Sequence, residues 1–105
     1  MHDRITPQTA VAKLATAGGQ RWVTLLKHGN IELEYYAPQE VDPQQPHTRD
    51  EVYFIVAGRA TFVMNGERRE VSPGEVLLAP CGVPHRFEQI SVDFATWAIF
   101  VTSGG

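Results

Sequence analysis

From Arg21 to Thr102 the chain alternates apolar and polar residues with a period near two, and Gly, Pro, Asn or Ser interrupts it every several residues. Short β-strands joined by tight turns give this pattern. Strands are predicted at Trp22 to Lys27, Ile31 to Tyr35, Glu51 to Val56, Ala60 to Met64, Glu67 to Val71, Val76 to Ala79, His85 to Glu88 and Ser91 to Thr102. In Ile31-Glu32-Leu33-Glu34-Tyr35 the apolar residues share one face and the carboxylates the other. Asn65-Gly66 is a two-residue hairpin signal, and Ser72-Pro73-Gly74-Glu75 suits a type II turn. Val76 to Ala79 is wholly apolar, so burial on both faces is expected. The last strand is apolar on both parities, which calls for a second subunit or the N-terminal helix against its outer face.

That helix is the one departure from the β pattern. Thr6-Pro7 reads as an N-cap followed by proline at the first helical position. Val11, Leu14 and the alanines carry a helix from about Pro7 to Ala17, and Gly18-Gly19 ends it. Residues 1–5 are expected to be loose, and residues 20–103 form the β body of a single domain spanning 1–105. The fold class is therefore all-β, a sandwich or small barrel with one short N-terminal helix.

Composition narrows the partners. The 105 residues carry a formal charge of −3, with only two lysines among nine cations. Phosphate-backbone binding needs clustered Lys and Arg, so no nucleic-acid partner is expected. No apolar stretch approaches the ~20 residues that span a membrane. Cys81 is the sole cysteine, which leaves no internal disulfide and makes a reducing, cytoplasmic setting the expectation. A small buried hydrophobe is the default reading of Cys81, a reactive thiol at the mouth of the β body the sharper one.

The chemistry concentrates between Gln45 and Gln89. His47, Glu51 and His85 supply two imidazoles and a carboxylate, the donor set of a catalytic divalent-metal site. Gln45 lies two residues before His47, so on an extended strand both side chains share a face. His2 and His28 read as surface or hydrogen-bonded residues. Asp50 reads as a solvated carboxylate. Arg49 and Arg86 flank the ligands; surface cations are their default reading, contact with an anionic substrate the sharper one. Tyr53 and Ile55 share strand parity with Glu51 and should face inward. Tyr35, Tyr53, Ile55, Phe87 and Trp97 are candidates for a pocket wall, with core filling as their default role. No acid or base beside the ligands stands out.

Two motifs in this stretch resemble those of the cupin superfamily, small RmlC-like jelly-roll barrels. Gln45-Pro46-His47, Glu51 and Gly58 fit the first family motif, with glutamine where its first histidine stands. Gly74, Pro80, Gly82 and His85 fit the second, with Gln89 in place of its asparagine. The resemblance covers about half the chain. It implies a jelly-roll β-barrel with positions 45, 47, 51 and 85 turned inward to hold a metal. Fe, Mn, Ni, Co and Zn all suit two histidines and one carboxylate, with Gln45 as a weak fourth ligand or as a hydrogen-bond partner of a bound water or substrate.

Three functions are compatible with that site. One is a metal-dependent enzyme on a small molecule, dioxygenase-like. Another is a sugar or sugar-phosphate isomerase, because Gln-x-His, Glu and a later His are similar to the ligand pattern of mannose-6-phosphate isomerases. The third is a non-catalytic barrel that binds a small ligand. A homodimer is expected from the two-faced last strand and from the family's habit.

Overall fold

The computed structural model describes residues 4–43 and 47–102. Its chain order is α1 (Pro7–Ala15), β1 (Trp22–His28), β2 (Ile31–Tyr36), β3 (Asp50–Ala57), β4 (Ala60–Met64), β5 (Glu67–Val71), β6 (Val76–Ala79), β7 (His85–Glu88) and β8 (Ala95–Val101). Two antiparallel sheets face each other, one ordered β1-β2-β8-β3-β6 and the other β5-β4-β7. This is the expected all-β jelly roll with one short helix.

The turns form for the reasons read in the sequence. Asn65 and Gly66 take φ of 51° and 85°, the doubly positive pair that a type I′ hairpin requires. Glu75 N donates to Ser72 O at 3.3 Å, closing the turn in which Gly74 has φ of 93°. Gly58 answers to packing as well as conformation. A Cβ there would lie 2.6 Å from the backbone of Phe94 and from Ser91 Oγ, at a φ of +78°. Gln89, where the family motif has asparagine, also adopts a positive φ of 51°, a conformation that asparagine tolerates better than most residues. Its side chain accepts a hydrogen bond from Thr61 Oγ1 at 2.9 Å.

Two elements are shorter than expected. The helix stops at Ala15 because Thr16 turns its hydroxyl back to the Lys13 carbonyl at 2.9 Å. Its start is the predicted one, with Thr6 and Thr9 capping each other reciprocally. The last strand begins at Ala95. Ser91 to Asp93 instead make a turn, in which Ser91 Oγ accepts from Arg59 N and donates to Asp93 Oδ1.

Between the sheets lies a core of Tyr53, Ile55, Phe62, Val71, Phe87, Phe94, Ala98 and Phe100. A second cluster joins Ala10 of α1 to Val23, Tyr35, Ala37 and Ala95, with Leu14 and Trp97 packed on it. The helix thus covers the outer face of β1, β2 and the start of β8, as the two-faced pattern of the last strand required. β6 departs from expectation: Leu77 and Ala79 face the core, but Val76 and Leu78 are 59% and 54% exposed. Strand β6 is an edge of the larger sheet, and among the described residues no element lies over its outer face.

Candidate metal centre

Glu51 sits at the start of β3 and His85 opens β7, so one candidate ligand comes from each sheet. His47 lies in the segment entering β3. Its carbonyl accepts from Gly82 N at 2.8 Å, and Cys81 N donates to Asp50 Oδ1 at 2.8 Å. These two bonds pin the β6–β7 loop to the approach of β3, which sets the distance between the two histidines. Asp50 is therefore a loop anchor as well as an exposed carboxylate.

The three predicted ligands come together. His47 Nε2 lies 2.7 Å and His85 Nε2 3.3 Å from the same oxygen, Oε1 of Glu51. One ligand atom from each residue falls within 4.8 Å of the others. Glu51 is 1% exposed and His85 is also buried. Each imidazole uses its other nitrogen on a carbonyl: His47 Nδ1–H donates to Arg49 O at 2.8 Å and His85 Nδ1–H to Val83 O at 3.0 Å. A carbonyl can only accept, so the Nδ1 proton is fixed and both Nε2 atoms turn toward the carboxylate. Metal-ligating histidines are oriented by this arrangement. A carboxylate oxygen also only accepts, so the contacts to it need a cation between them, either a proton or a metal ion. Burial lowers the pKa of His85, but the hydrogen bonds to Glu51 and Val83 outweigh it and the net shift is upward. The donor set therefore fits a divalent transition metal. Gln45 lies outside the described residues.

The pocket beside these ligands has a volume of about 230 Å³ and is lined by Trp22, Glu34, Tyr36, Pro43, Glu51, Ala98 and Phe100. Two of the expected wall residues are elsewhere. Tyr35 and Trp97 stack edge-on at 5.1 Å on the opposite face of the sheet, under the helix. Their strand parity is the outward one, because the helix needs an apolar surface to rest on. Tyr53 and Ile55 do face inward and are fully buried. Tyr53 and Phe87 belong to the aromatic core, with Tyr53 packed 5.9 Å from the His85 ring and 4.9 Å from Phe87. Cys81 is exposed rather than buried. Its backbone is held by Asp50, and its side chain projects from the loop.

Neither arginine is available to an anion in the way considered from the sequence. Arg49 bonds Glu32 at 2.9 Å and lies 4.2 Å over the Phe100 ring. Arg86 points outward and pairs with Glu88. Two arginines, Arg68 and Arg86, hold the half-buried Glu88 carboxyl below its usual range.

Several pocket residues were not singled out in the sequence. Glu34 and Tyr36 line the pocket from the face of β2 opposite Tyr35, and Glu32 lies on that same face outside the pocket lining. Burial raises Glu34, which also hydrogen-bonds the Glu32 carboxylate, and its pKa is pushed up to about 8. Burial raises Glu32 too, but its hydrogen bonds to Glu34 and Arg49 prevail and its net shift is downward. The Tyr36 hydroxyl donates to Asp42; burial and that carboxylate raise its pKa. Asp42 is itself buried and accepts from Phe87 N at 2.8 Å. One sequence signal pointed this way. An amphipathic helix beside a strand reading apolar on one parity claims that apolar face, leaving the carboxylates to the interior.

Residues 32–102 match the cupin domain family. An uncharacterized protein of Streptomyces coelicolor is 37% identical over 81 residues, 75% of this chain and 77% of that protein. Dimethylsulfoniopropionate lyase DddQ of Ruegeria pomeroyi is 43% identical over 44 residues, 41% of this chain but only 22% of the lyase. Among solved structures, a Cupin 2 conserved barrel domain protein from Salinispora arenicola superposes with a TM-score of 0.74 at 20% identity, over 98% of this chain and 90% of that one.

Proposed function

The chain belongs to the cupin family, and on that premise we propose that it is a metal-dependent enzyme acting on a small molecule. His47, Glu51 and His85 would hold a divalent transition metal, Fe, Mn, Ni or Zn, with Gln45 as a neutral fourth ligand. The observation that carries this reading is the convergence of two Nε2 atoms on one buried carboxylate oxygen, each imidazole locked by a carbonyl. Bound there, the metal would supply Lewis-acid or redox chemistry. The chain's own contribution is a pocket walled by Trp22 and Phe100, with Glu34 and Tyr36 presenting polar groups to its contents.

The dioxygenase-like reading uses the open metal positions. An isomerase-like or lyase-like reading, which needs proton transfer and no oxidant, is favoured by Glu34, an acid group lining the same pocket as a metal ligand. Engagement of Arg49 and Arg86 by Glu32 and Glu88 speaks against a phosphorylated substrate. A barrel that binds a small ligand without turnover is the third reading.

A second copy of the chain is the proposed partner, seated on the outer face of β3 and β6, where Phe54, Val76 and Leu78 are exposed. A cytoplasmic setting is proposed from the single cysteine. No helix among the described residues is long and apolar enough to cross a membrane.

Elemental analysis of protein purified without chelator tests the metal reading, alongside His47→Ala and His85→Ala. Near-stoichiometric transition metal lost in both variants is the expected result, with iron favouring the oxygenase and zinc the isomerase. Protein that neither carries metal nor takes up Fe(II), Mn(II), Ni(II) or Zn(II) overturns it and leaves the ligand-binding barrel.

A further inference from the structure

We propose that Glu34 is the proton-donating residue of the pocket, presenting its carboxyl to an uncharged polar small molecule held beside Glu51. This rests on the metal-dependent-enzyme reading and adds to it a reaction class, proton transfer without net oxidation.

Strand register builds the arrangement. Strand β8 lies between β2 and β3, pairing Glu34 with Ala98 and Ala98 with Tyr53, and one row on pairing Glu32 with Phe100 and Phe100 with Glu51. On the inner face, then, Glu34 has Thr24 beside it on β1 and an alanine beside it on β8. The alanine's short side chain leaves the space that becomes the pocket, with Glu34 on one bank and Glu51 on the other. A larger residue at position 98 would fill that space.

The charges around Glu34 decide its state. On its own strand it faces Glu32 and Tyr36. From β3 it faces Glu51, and from the segment before β3, Arg49. Strand β8 contributes only Ala98 and Phe100, and β1 contributes Lys27, which reaches Glu32 at 4.0 Å. Both nearby cations therefore bind Glu32. The two neighbouring carboxyls share one proton, Glu32 keeps the charge, and Glu34 keeps the proton. Carboxyl pairs whose environments drive their pKa values apart divide into an acid and a charged partner in this way.

When the proton leaves Glu34, its O–H electron pair stays on the carboxylate. An electron pair on an oxygen or carbon of the bound molecule forms the new bond to hydrogen. In an isomerisation the carboxylate regains a proton from another position of the same molecule; in an elimination it takes the proton of the C–H bond that breaks, and the group protonated first leaves with the electron pair of its own bond to carbon. No oxidant or reductant enters the balance. An anionic ligand is disfavoured, because the described residues that line the pocket include carboxyls and a phenol but no Lys or Arg.

Two measurements test this on the full chain. In the first, protein labelled with ¹³C at the glutamate side-chain carboxyl is titrated by NMR, with and without Zn(II), beside Glu34→Gln. A resonance missing from Glu34→Gln and titrating near pH 8, well above the ordinary glutamate range, is expected. In the second, wild-type protein is treated at neutral pH with diisopropylcarbodiimide, which reacts with protonated carboxyls, and the adduct is located by peptide mass spectrometry. Expected is an adduct on Glu34. This arm needs no variant to fold. A Glu34 resonance titrating in the ordinary carboxylate range, or adducts confined to other residues, overturns the proposal. Metal content is measured on the same samples. Bound zinc with an ordinary Glu34 defeats this inference alone, whereas a high Glu34 with no metal uptake defeats the metalloenzyme reading and leaves an acid in a metal-free pocket.

Discussion

The two faces of the five-stranded sheet invert the usual expectation. The inner face carries Glu32, Glu34, Tyr36 and Glu51 at one end of the barrel. On the outer face Leu33, Ile99, Val52 and Leu78 run in one row across four strands, and Tyr35, Trp97, Phe54 and Val76 in the next. Part of that outer surface lies beneath the helix; the rest, around Phe54, Val76 and Leu78, is exposed. In a barrel, apolar content does not tell inside from outside. The outer face is apolar because something covers it, and the inner face tolerates carboxyls because cations, protons and hydrogen bonds satisfy them.

Neighbouring residues of β2 offer the sharpest way to break the contrast. Tyr35→Ala removes a buried ring packed on Trp97 and the helix and should cost about 3 kcal/mol of unfolding free energy. Glu34→Gln, one residue away on the other face, should change stability by less than about 1 kcal/mol near pH 4, where the carboxyl is largely neutral in the folded and unfolded chain alike and is replaced by an amide of the same shape. Chemical denaturation of both variants checks this. Equal losses would mean that the two faces do not differ as described.

On the inner face alone, Glu51→Ala should weaken transition-metal binding by at least about 100-fold, since loss of a direct ligand exceeds the effect of losing an outer partner. Competition against a chromogenic chelator measures it. Outside, Phe54→Lys with Leu78→Lys should dissociate the proposed homodimer while leaving metal content unchanged. Light scattering after size exclusion reads the first and elemental analysis the second. A dimer that survives both lysines would place the subunit contact elsewhere.

Much of this was legible before the structure, and the limits have a common cause. Turn chemistry at Asn65-Gly66 and Ser72-Glu75 placed β4, β5 and β6 to the residue. The spacing of His47, Glu51 and His85 marks a candidate ligand set, and the fold brings the three side chains together. Parity also separated the two faces of β2 correctly. What parity cannot supply is direction: which face is inside depends on the neighbouring helix, a contact distant in the chain. For that reason Tyr35 and Trp97, candidates for the pocket wall with core filling as their default, fill the cluster under the helix, and nothing in the pattern singles out Glu34. The apolar run of β6 was equally ambiguous, since a doubly buried strand and an edge strand awaiting a partner share one pattern.

A slope of stability against pH separates the inner face's carboxyls. In the folded chain Glu34 titrates at about 8, against 4.5 for an unperturbed glutamate. Between those values the folded state holds a proton that the unfolded state has released, so stability falls as pH rises through that window. Glu32, lowered by its partners, acts oppositely and lower down: its contribution is present above pH 4.5 and fades as the pH drops below that. His85, raised above its usual 6.5 by Glu51 and Val83, adds stability that is full below pH 6.5 and lost at higher pH, in the same direction as Glu34. Melting temperatures of metal-free wild type from pH 5 to 8.5 should therefore decline, and those of Glu34→Gln should decline less, the remaining slope belonging to His85. Identical slopes in the two proteins would show that Glu34 is charged throughout that range and that the inner face is no more protonated than the solvent around it.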